Sequence, residues 1–233
     1  SMLTLEGIRY GDGAFSLAAD LSLSPGARVA VIGPSGAGKS TLLDLIAGFR
    51  RPDAGRVLWR GHEITAAPPD RRPVAMLFQE NNLFPHLELW RNLGLALRPD
   101  GGRLRAEERQ EVERALDRVG LQGYAGRKPG ALSSGRQSRA ALARVLLQAR
   151  PIIALDEPFA ALGPALKSEM LDLVQAVAEE LGALVLMVSH DPDDAKRFAG
   201  EVVLVADGVA AAPVATTRLF KEPPEALRRY LGL

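Results

Sequence analysis

The sequence contains no cysteine. Disulfide bonds and thiolate-bound metals are therefore excluded, and a cytosolic protein is the default expectation. Positive and negative charges nearly balance: 29 Lys and Arg and 28 Asp and Glu give a net charge of +1. This balance gives no electrostatic reason to expect nucleic acid or an anionic membrane surface as a partner. No apolar run approaches the roughly 18 residues of a membrane-spanning helix.

The residues that are present have a globular composition, with 47% hydrophobic and 24% charged residues. A chain of 233 residues can form one domain with a full core, or a core with a smaller lobe. In the first sixty residues, the segments LTLEGIRY, FSLAADLSL, ARVAVIG and GRVLWRG have strand patterns. The segment KSTLLDLIAGF lies between these strands and is predicted to be a helix, because its leucines and isoleucine recur at helical spacing.

The pattern then changes along the chain. A strand is predicted at 73–79, and the region from about 81 to 147 is helical, with helices at 104–120 and 135–149. Strands at 152–157, 183–190 and 201–208 then alternate with helices at 165–182 and 192–199, and a polar tail carries a helix at 224–232. Such alternation is typical of a parallel sheet with crossover helices. The sequence predicts one α/β domain over 2–233, with a mostly parallel sheet, an N-terminal antiparallel β edge and a helical insertion at about 81–147.

The segment GPSGAGKST fits the pattern G-x-x-x-x-G-K-[ST] from Gly33 to Ser40. It follows the strand segment ARVAVI and opens a helix, which is the context of a phosphate-binding P-loop. Small residues let backbone N–H groups converge on the β-phosphate, and the helix N-terminus adds positive potential. Lys39 is expected to reach the β- and γ-phosphates and Ser40 to ligate Mg²⁺, whereas a structural glycine-rich turn is the alternative. The predicted nucleotide-binding residues of this segment are Gly33, Pro34, Ser35, Gly36, Ala37, Gly38, Lys39, Ser40 and Thr41.

The segment IIALDE is an apolar strand that ends in two carboxylates. Asp156 suits a Mg²⁺ shell, and Glu157 can polarise a water molecule against the γ-phosphate. An Asp-Glu pair at a strand end is usually a solvated turn, but a P-loop in the same chain favours the catalytic interpretation. His190 ends the segment LVLMVS, so in a parallel sheet it lies at the same carboxyl edge, although a lone histidine there is more often structural.

Taken together, these segments resemble the ATPase subunit of an ATP-binding-cassette (ABC) transporter over almost the whole chain. The resemblance implies a P-loop NTPase core that uses ATP and Mg²⁺. It identifies Tyr10 with the aromatic residue that stacks on adenine, with Phe15 as its rival. It also identifies Gln79, in MLFQENNLF, with the glutamine that joins the Mg²⁺ shell, has a catalytic role and senses the membrane partner. Glu157 corresponds to the catalytic glutamate and His190 to the switch histidine.

The segment LSSGR, residues 132–136, stands where this family has the signature L-S-G-G-Q. In the family, the signature faces the γ-phosphate held by the other subunit's P-loop. The resemblance therefore implies that Ser133 supplies a hydroxyl and a helix N-cap, and that the amides of Ser134 and Gly135 point at that phosphate. The chain departs from the family at Ser134, at Arg136 and at Gly163, where an aspartate is usual.

The resemblance also implies partners and a place in the cell. ATP binding would close a homodimer and hydrolysis would reopen it, moving membrane permease subunits at the cytoplasmic face of a bacterial inner membrane. Residues 79–97 would form the groove for the coupling helix of the permease, and a periplasmic solute-binding protein would take part indirectly. Three segments, GPSGAGKSTLLDLIAGF, RRPVAMLFQENNLFPHL and DEPFAALGPAL, most resemble the ATPase subunits of thiamine importers.

Other functions stay open at this stage. Another small solute is the alternative cargo. A cassette ATPase that acts on DNA or ribosomes is a second class, opposed by the neutral charge and by the absence of a long coiled-coil insertion. A P-loop kinase of small molecules is a third class, opposed by the lack of an evident second substrate pocket.

Overall fold

The structure is a computed structural model that describes residues 2–78, 80 and 82–233. These residues divide into two units. Unit 1 comprises Ser1–Val74, Pro151–Glu157 and Ala178–Leu233, and unit 2 comprises Ala75–Arg150 and Pro158–Val177. Within the described ranges, no helix has the length and hydropathy needed to cross a membrane.

The described residues form strands and helices with the following bounds. The strands are β1 (Leu3–Asp12), β2 (Phe15–Leu23), β3 (Arg28–Ile32), β4 (Ala54–Trp59), β5 (His62–Glu63), β6 (Val74–Leu77), β7 (Ile152–Asp156), β8 (Leu184–Val188), β9 (Glu201–Ala206), β10 (Val209–Ala210) and β11 (Val214–Ala215). The α-helices are α1 (Lys39–Ala47), α2 (Leu89–Gly94), α3 (Ala106–Arg118), α4 (Ser134–Gln148), α5 (Pro164–Leu181), α6 (Pro192–Phe198), α7 (Thr216–Lys221) and α8 (Glu225–Leu231).

Unit 1 is built on a mixed β-sheet in which neighbouring strands follow the order β5-β4-β1-β2-β10-β9-β3-β8-β7. Strand β3 pairs in parallel with β8 and β9, and β7 pairs in parallel with β8. Strand β1 pairs antiparallel with β2 and β4. The two parts join at β10, which is parallel to β2 and antiparallel to β9. The predicted α/β class, with its parallel core and antiparallel N-terminal edge, is confirmed.

The burial of the strands follows their place in the sheet. All five residues of β8, LVLMV, are buried, because helices and loops cover both faces of a parallel strand. Strand β2 alternates between buried and exposed or half-buried side chains, as expected where one face meets water. The parallel strands β3, β7 and β8 end at one edge of the sheet. This edge is therefore where residues 33–40, Glu157 and His190 leave their strands.

Unit 2 is mainly helical and includes residues 82–147 of the predicted insertion. Its core is a cluster of apolar side chains from α2, α3, α4 and the loops between them. Helix α3 is amphipathic: Val112, Ala115 and Leu116 are buried at helical spacing, while most of its other side chains are exposed. This helix begins after Arg105, whose backbone N–H donates to Glu108 Oε1 at 2.9 Å.

Several short helices and strands of the structure were not predicted from the sequence. Helix α7 lies in the predicted polar tail, where buried Leu219 anchors it and Thr216 Oγ1 donates to the Ala199 carbonyl at 2.7 Å. The two-residue strands β10 and β11 were missed as well, because two residues carry no periodicity and pairing with β9 creates the strand. Helix α2 was predicted only as part of a helical region.

Candidate functional site

At two positions of the loop between β3 and α1, the backbone angle and the close neighbours leave room only for glycine. Gly33 has φ 154°, and a Cβ there would lie 1.9 Å from the Val205 carbonyl oxygen on β9. Gly38, the N-cap of α1, has φ 112°, and a Cβ would lie 2.8 Å from Cζ of Phe15. Because Gly38 has no side chain to bond the first amides of α1, those N–H groups stay available for an anionic ligand.

Lys39 is the first residue of α1, and its side chain folds back over the loop. It is 8% exposed, and its Nζ donates to the Gly33 carbonyl at 2.6 Å and to the Pro34 carbonyl at 3.4 Å. Burial lowers the pKa of the Lys39 ammonium, while the charges of Glu157 and Asp156 act to raise it. The lysine charge therefore lies close to two carboxylates, in the position expected for a phosphate-binding residue.

Asp156, at the end of β7, accepts a hydrogen bond from Ser40 Oγ at its Oδ1 atom, 3.1 Å away. Burial raises the pKa of this carboxyl, and the hydrogen bond from Ser40 opposes that change. A hydroxyl and a carboxylate are oxygen donors of the kind that Mg²⁺ takes. No cluster of three or more His, Cys, Asp or Glu suited to a metal occurs in the described part of the chain. A cation here would therefore need phosphate and water oxygens to complete its shell, as Mg²⁺ in NTP sites does.

Glu157 has an unusual backbone for a glutamate. Its φ of 48° lies in the left-handed region, which costs a non-glycine residue roughly 1–3 kcal/mol and is concentrated at functional sites. Its N–H donates to the Val188 carbonyl at 3.2 Å, and its Oε1 lies 2.6 Å from Nδ1 of His190. The two residues expected at the carboxyl edge of the sheet are thus in direct contact.

A cleft of about 570 Å³ opens at this edge within unit 1. Its lining consists of Phe15, Ser35, Gly36, Gly38, Lys39, Ser40, Thr41, Glu157, Val188 and His190. Tyr10, the predicted adenine-stacking residue, is not among them, and its rival Phe15 is. The Tyr10 hydroxyl instead accepts a hydrogen bond from Arg50 Nη1 at 2.8 Å, and the guanidinium lies 5.7 Å from the ring centroid. Gln79 lies outside the described residues.

The segment 132–136 forms the start of α4 in unit 2. Ser133 is the N-cap, and its Oγ accepts a hydrogen bond from the Arg136 N–H at 3.3 Å. Ser134 is the first helical residue and is not among the residues with positive φ, so a serine in place of the family's glycine causes no backbone strain. The Arg136 guanidinium lies 5.0 Å from the ring centroid of Tyr124, so it has an aromatic neighbour inside unit 2.

Two glycines differ in how much room surrounds them in unit 2. A Cβ at Gly135 would lie 2.6 Å from Cδ2 of Leu166, so the start of α4 packs closely on the start of α5. At Gly163, where the family usually has aspartate, a Cβ would meet nothing within 4 Å. The absence of that carboxylate is therefore not a consequence of crowding.

One residue near the site was not found from the sequence. Tyr230, on α8, donates its hydroxyl to the His190 carbonyl at 2.6 Å. Forty positions separate the two residues, and a single aromatic on a short amphipathic helix is usually a packing residue. Nothing in the local pattern pointed to this contact.

The distribution of charge in the cleft indicates which class of ligand it can bind. Lys39 is the one Lys or Arg among the described residues that line it, and it lies beside the N-terminus of α1. The Ser40–Asp156 pair lies next to it, and Glu157 and His190 face the same space. A polyphosphate with its cation matches this arrangement, and with the parallel sheet it defines a P-loop nucleoside triphosphatase.

Comparison with known proteins specifies the family. The family model described as ABC transporter matches residues 18–160. A thiamine import ATP-binding protein ThiQ from Ruegeria sp. (strain TM1040) is 58% identical over 231 residues, which cover 99% of this chain and 100% of that protein. The ThiQ protein of Cereibacter sphaeroides is 58% identical over the same length and coverage.

A comparison with solved structures supports the same family. The dimeric post-hydrolysis state of the ATP-binding cassette MJ0796 bound to ADP and Pi matches with a TM-score of 0.79 and 29% identity. The match covers 92% of this chain and 99% of that chain. The chain therefore belongs to the ABC transporter family and is a nucleotide-binding ATPase of that family.

Proposed function

We propose that this chain is the ATP-hydrolysing motor subunit of an importer for thiamine. The observation that carries the proposal is the 58% identity to a thiamine import ATP-binding protein over 99% of this chain and 100% of that relative. The similarity is not confined to the nucleotide-binding motifs that all ABC ATPases share. It includes the helical unit 2, where the predicted contact with membrane subunits lies.

Different residues are proposed to act on different parts of ATP and its cation. Lys39, beside the N-terminus of α1, holds the β- and γ-phosphates. Ser40 and Asp156 would hold Mg²⁺, which when bound would shield the phosphate charge. The predicted role of Gln79 in the Mg²⁺ shell stays a prediction from the family resemblance. Glu157 accepts the proton of the attacking water, and His190, 2.6 Å away, orients the glutamate and contacts the γ-phosphate.

Two aromatic residues, Tyr10 and Phe15, are candidates for contact with the adenine ring. We propose that Phe15 stacks on it, because Phe15 lines the cleft next to Gly38 whereas Tyr10 is engaged by Arg50. An aromatic side chain at the rim of a phosphate cleft provides a flat apolar surface for a base.

Each complete site needs two copies of the chain. In the proposed homodimer, the turn of Ser133, Ser134 and Gly135 faces the P-loop of the other copy. Capping by Ser133 fixes the first turn of α4, so the free amides of that turn are directed at the γ-phosphate across the interface. ATP therefore binds between the copies, and dimerisation depends on it.

The proposed cellular partners are membrane permease subunits at the cytoplasmic face of a bacterial inner membrane. A periplasmic solute-binding protein delivers the cargo and takes part indirectly. Nucleic acid is not a proposed partner, since the net charge of +1 provides no basic surface excess.

Residues 79–97 are the proposed groove for the permease's coupling helix. Within this segment, Leu83 is buried in the core of unit 2, whereas Phe84 is 46% exposed. The loop that presents Phe84 is rigid, because the buried Asn92 accepts from the Phe84 N–H at 2.7 Å and donates to its carbonyl at 3.1 Å. Leu87 and Trp90 line a neighbouring cavity of about 670 Å³ in the same unit. An exposed aromatic side chain on a hydrogen-bonded backbone, in the same unit as a cavity, is typical of a docking site.

Replacing Phe84 with aspartate is expected to weaken assembly with the membrane subunits at least tenfold while ATP binding by the isolated chain stays unchanged. A carboxylate would bring an unpaired charge into the apolar contact. Co-purification of the membrane subunits measures assembly. The matched control is Val209→Asp, because Val209 is 50% exposed but lies on β10 of unit 1. Assembly of the Phe84 variant at the wild-type level would reject the groove.

The cargo is tested in a strain that lacks the gene. Uptake of labelled thiamine is expected to be lost and to return with the wild-type chain. It should not return with a chain that carries Glu157→Gln, because transport needs turnover as well as expression of the subunit. Thiamine uptake that survives the deletion would contradict the proposal. In that case, loss of another solute's uptake would identify a different cargo. Recovery of the chain with ribosomes would instead indicate an ATPase that does not act in transport.

A further inference from the structure

The C-terminal helix α8 reaches the catalytic edge of unit 1. Its Leu227 is fully buried, and Arg229 Nη2 lies 2.9 Å from Asp207 Oδ2. On the same helix, the Tyr230 hydroxyl donates to the backbone carbonyl of His190 at 2.6 Å. The buried Leu227 therefore anchors the helix, and Tyr230 holds one backbone group of the histidine, whereas the Arg229–Asp207 pair is exposed.

The backbone around His190 is held from several sides. The Ser189 N–H donates to the Val31 carbonyl at 3.2 Å, and Ser189 Oγ donates to Asp194 Oδ2 at 2.9 Å. The His190 side chain, in contrast, is 63% exposed, so packing does not fix its ring. Its distance to Glu157, 2.6 Å from Nδ1 to Oε1, therefore depends on where the backbone is held.

The Tyr230 phenol is suited to hold that carbonyl. Burial raises the pKa of the hydroxyl, and the charges of Asp191 and Glu157 raise it further. The group is therefore protonated at neutral pH and acts as a donor. A half-buried O–H bound to a carbonyl at 2.6 Å is a short contact that restricts the loop after β8.

We propose that Tyr230 is a positioning residue for ATP hydrolysis: through its hydrogen bond to the His190 carbonyl, it places the His190 ring against Glu157. Tyr230 then contributes to hydrolysis, although no residue of α8 is among the described residues that line the cleft. The inference rests on the proposed roles of Glu157 and His190. Because Tyr230 acts through the backbone of His190, it affects turnover and leaves Lys39 and the P-loop, which hold most of the phosphate charge, unchanged.

The test removes only the hydroxyl. Tyr230→Phe keeps the half-buried ring, so we expect kcat to fall about tenfold, with KM for ATP and the Tm of the protein close to wild type. The control is Arg229→Ala, which removes the exposed ion pair of the same helix and leaves the hydroxyl in place. Since exposed pairs contribute little to stability, that variant should keep wild-type turnover. Wild-type kcat in Tyr230→Phe would overturn the proposal.

A double-mutant cycle separates positioning from a general weakening of the fold. In a His190→Ala background, Tyr230→Phe should lower kcat no further, because its effect passes through His190. A further tenfold loss there would overturn the proposal. An inactive wild-type chain in the same assay would instead overturn the proposed hydrolytic function itself, and with it this inference.

A spectroscopic measurement does not depend on turnover. The sequence has three histidines, His62, His86 and His190, so the ring signals can be assigned in a nucleotide-free NMR spectrum. The signal of His190 should shift in Tyr230→Phe and stay in place in Arg229→Ala. An unmoved His190 signal in Tyr230→Phe would also overturn the proposal.

Discussion

Replacing Lys39 with alanine is expected to weaken ATP binding at least 100-fold, about 2.8 kcal/mol. The ammonium is held over the P-loop by the Gly33 and Pro34 carbonyls, where we expect it to meet the phosphates without a large movement. No other Lys or Arg among the described residues lines the cleft, so the variant leaves the phosphates without a cationic side chain. Fluorescent ATP titration measures the loss.

The control for this variant is Lys221→Ala, which removes an equal charge from an exposed position at the end of α7. It should bind ATP as the wild type does. The Tm of both variants is measured as well, because Lys39 also bonds the loop carbonyls and its loss could loosen the loop. ATP binding within a few fold of wild type in a folded Lys39→Ala chain would contradict the assignment.

Glu157→Gln is expected to bind ATP normally and to hydrolyse it about 100- to 10,000-fold more slowly. The amide has nearly the same shape as the carboxylate but cannot accept the proton of the attacking water, and loss of a general base has an effect of this size. Phosphate release under saturating ATP measures turnover. The control is Glu63→Gln, because Glu63 is an exposed carboxylate on β5 outside the cleft. If Glu157→Gln retains most of the activity, Glu157 is not the base.

The same variant also tests the dimer. With hydrolysis blocked, ATP should remain between the two copies, and Glu157→Gln should move from monomer to dimer on a sizing column with ATP but not with ADP. The wild-type chain should show less of the dimer because it turns ATP over. An elution volume that is indifferent to nucleotide would contradict an interface built from the P-loop of one copy and the Ser133 turn of the other.

The contacts of the candidate site differ in how far the sequence could predict them. The sequence predicts that His190 lies at the same edge of the sheet as the P-loop, because the carboxyl ends of parallel strands share one edge. Its direct contact with Glu157 was found only in the structure. The choice between Tyr10 and Phe15 could not be made in that way. Both are aromatic residues of the antiparallel edge, and which ring reaches the cleft depends on the bends of β1 and on the Arg50 side chain. The contact of Tyr230 with His190 gave no local signal at all.

The local pattern of the sequence by itself determined the glycine-rich loop at 33–41, the acidic pair at the end of β7 and the alternation of strands and helices. These features depend on neighbours in the chain and on strand periodicity, so they are readable without coordinates. Only the tertiary structure decided that Gly33 has no room for a Cβ against Val205, that Ser134 is unstrained, and that Phe15 lines the cleft. The physical reason is that each of these depends on a backbone angle or on an atom brought close by folding, which the local pattern does not specify.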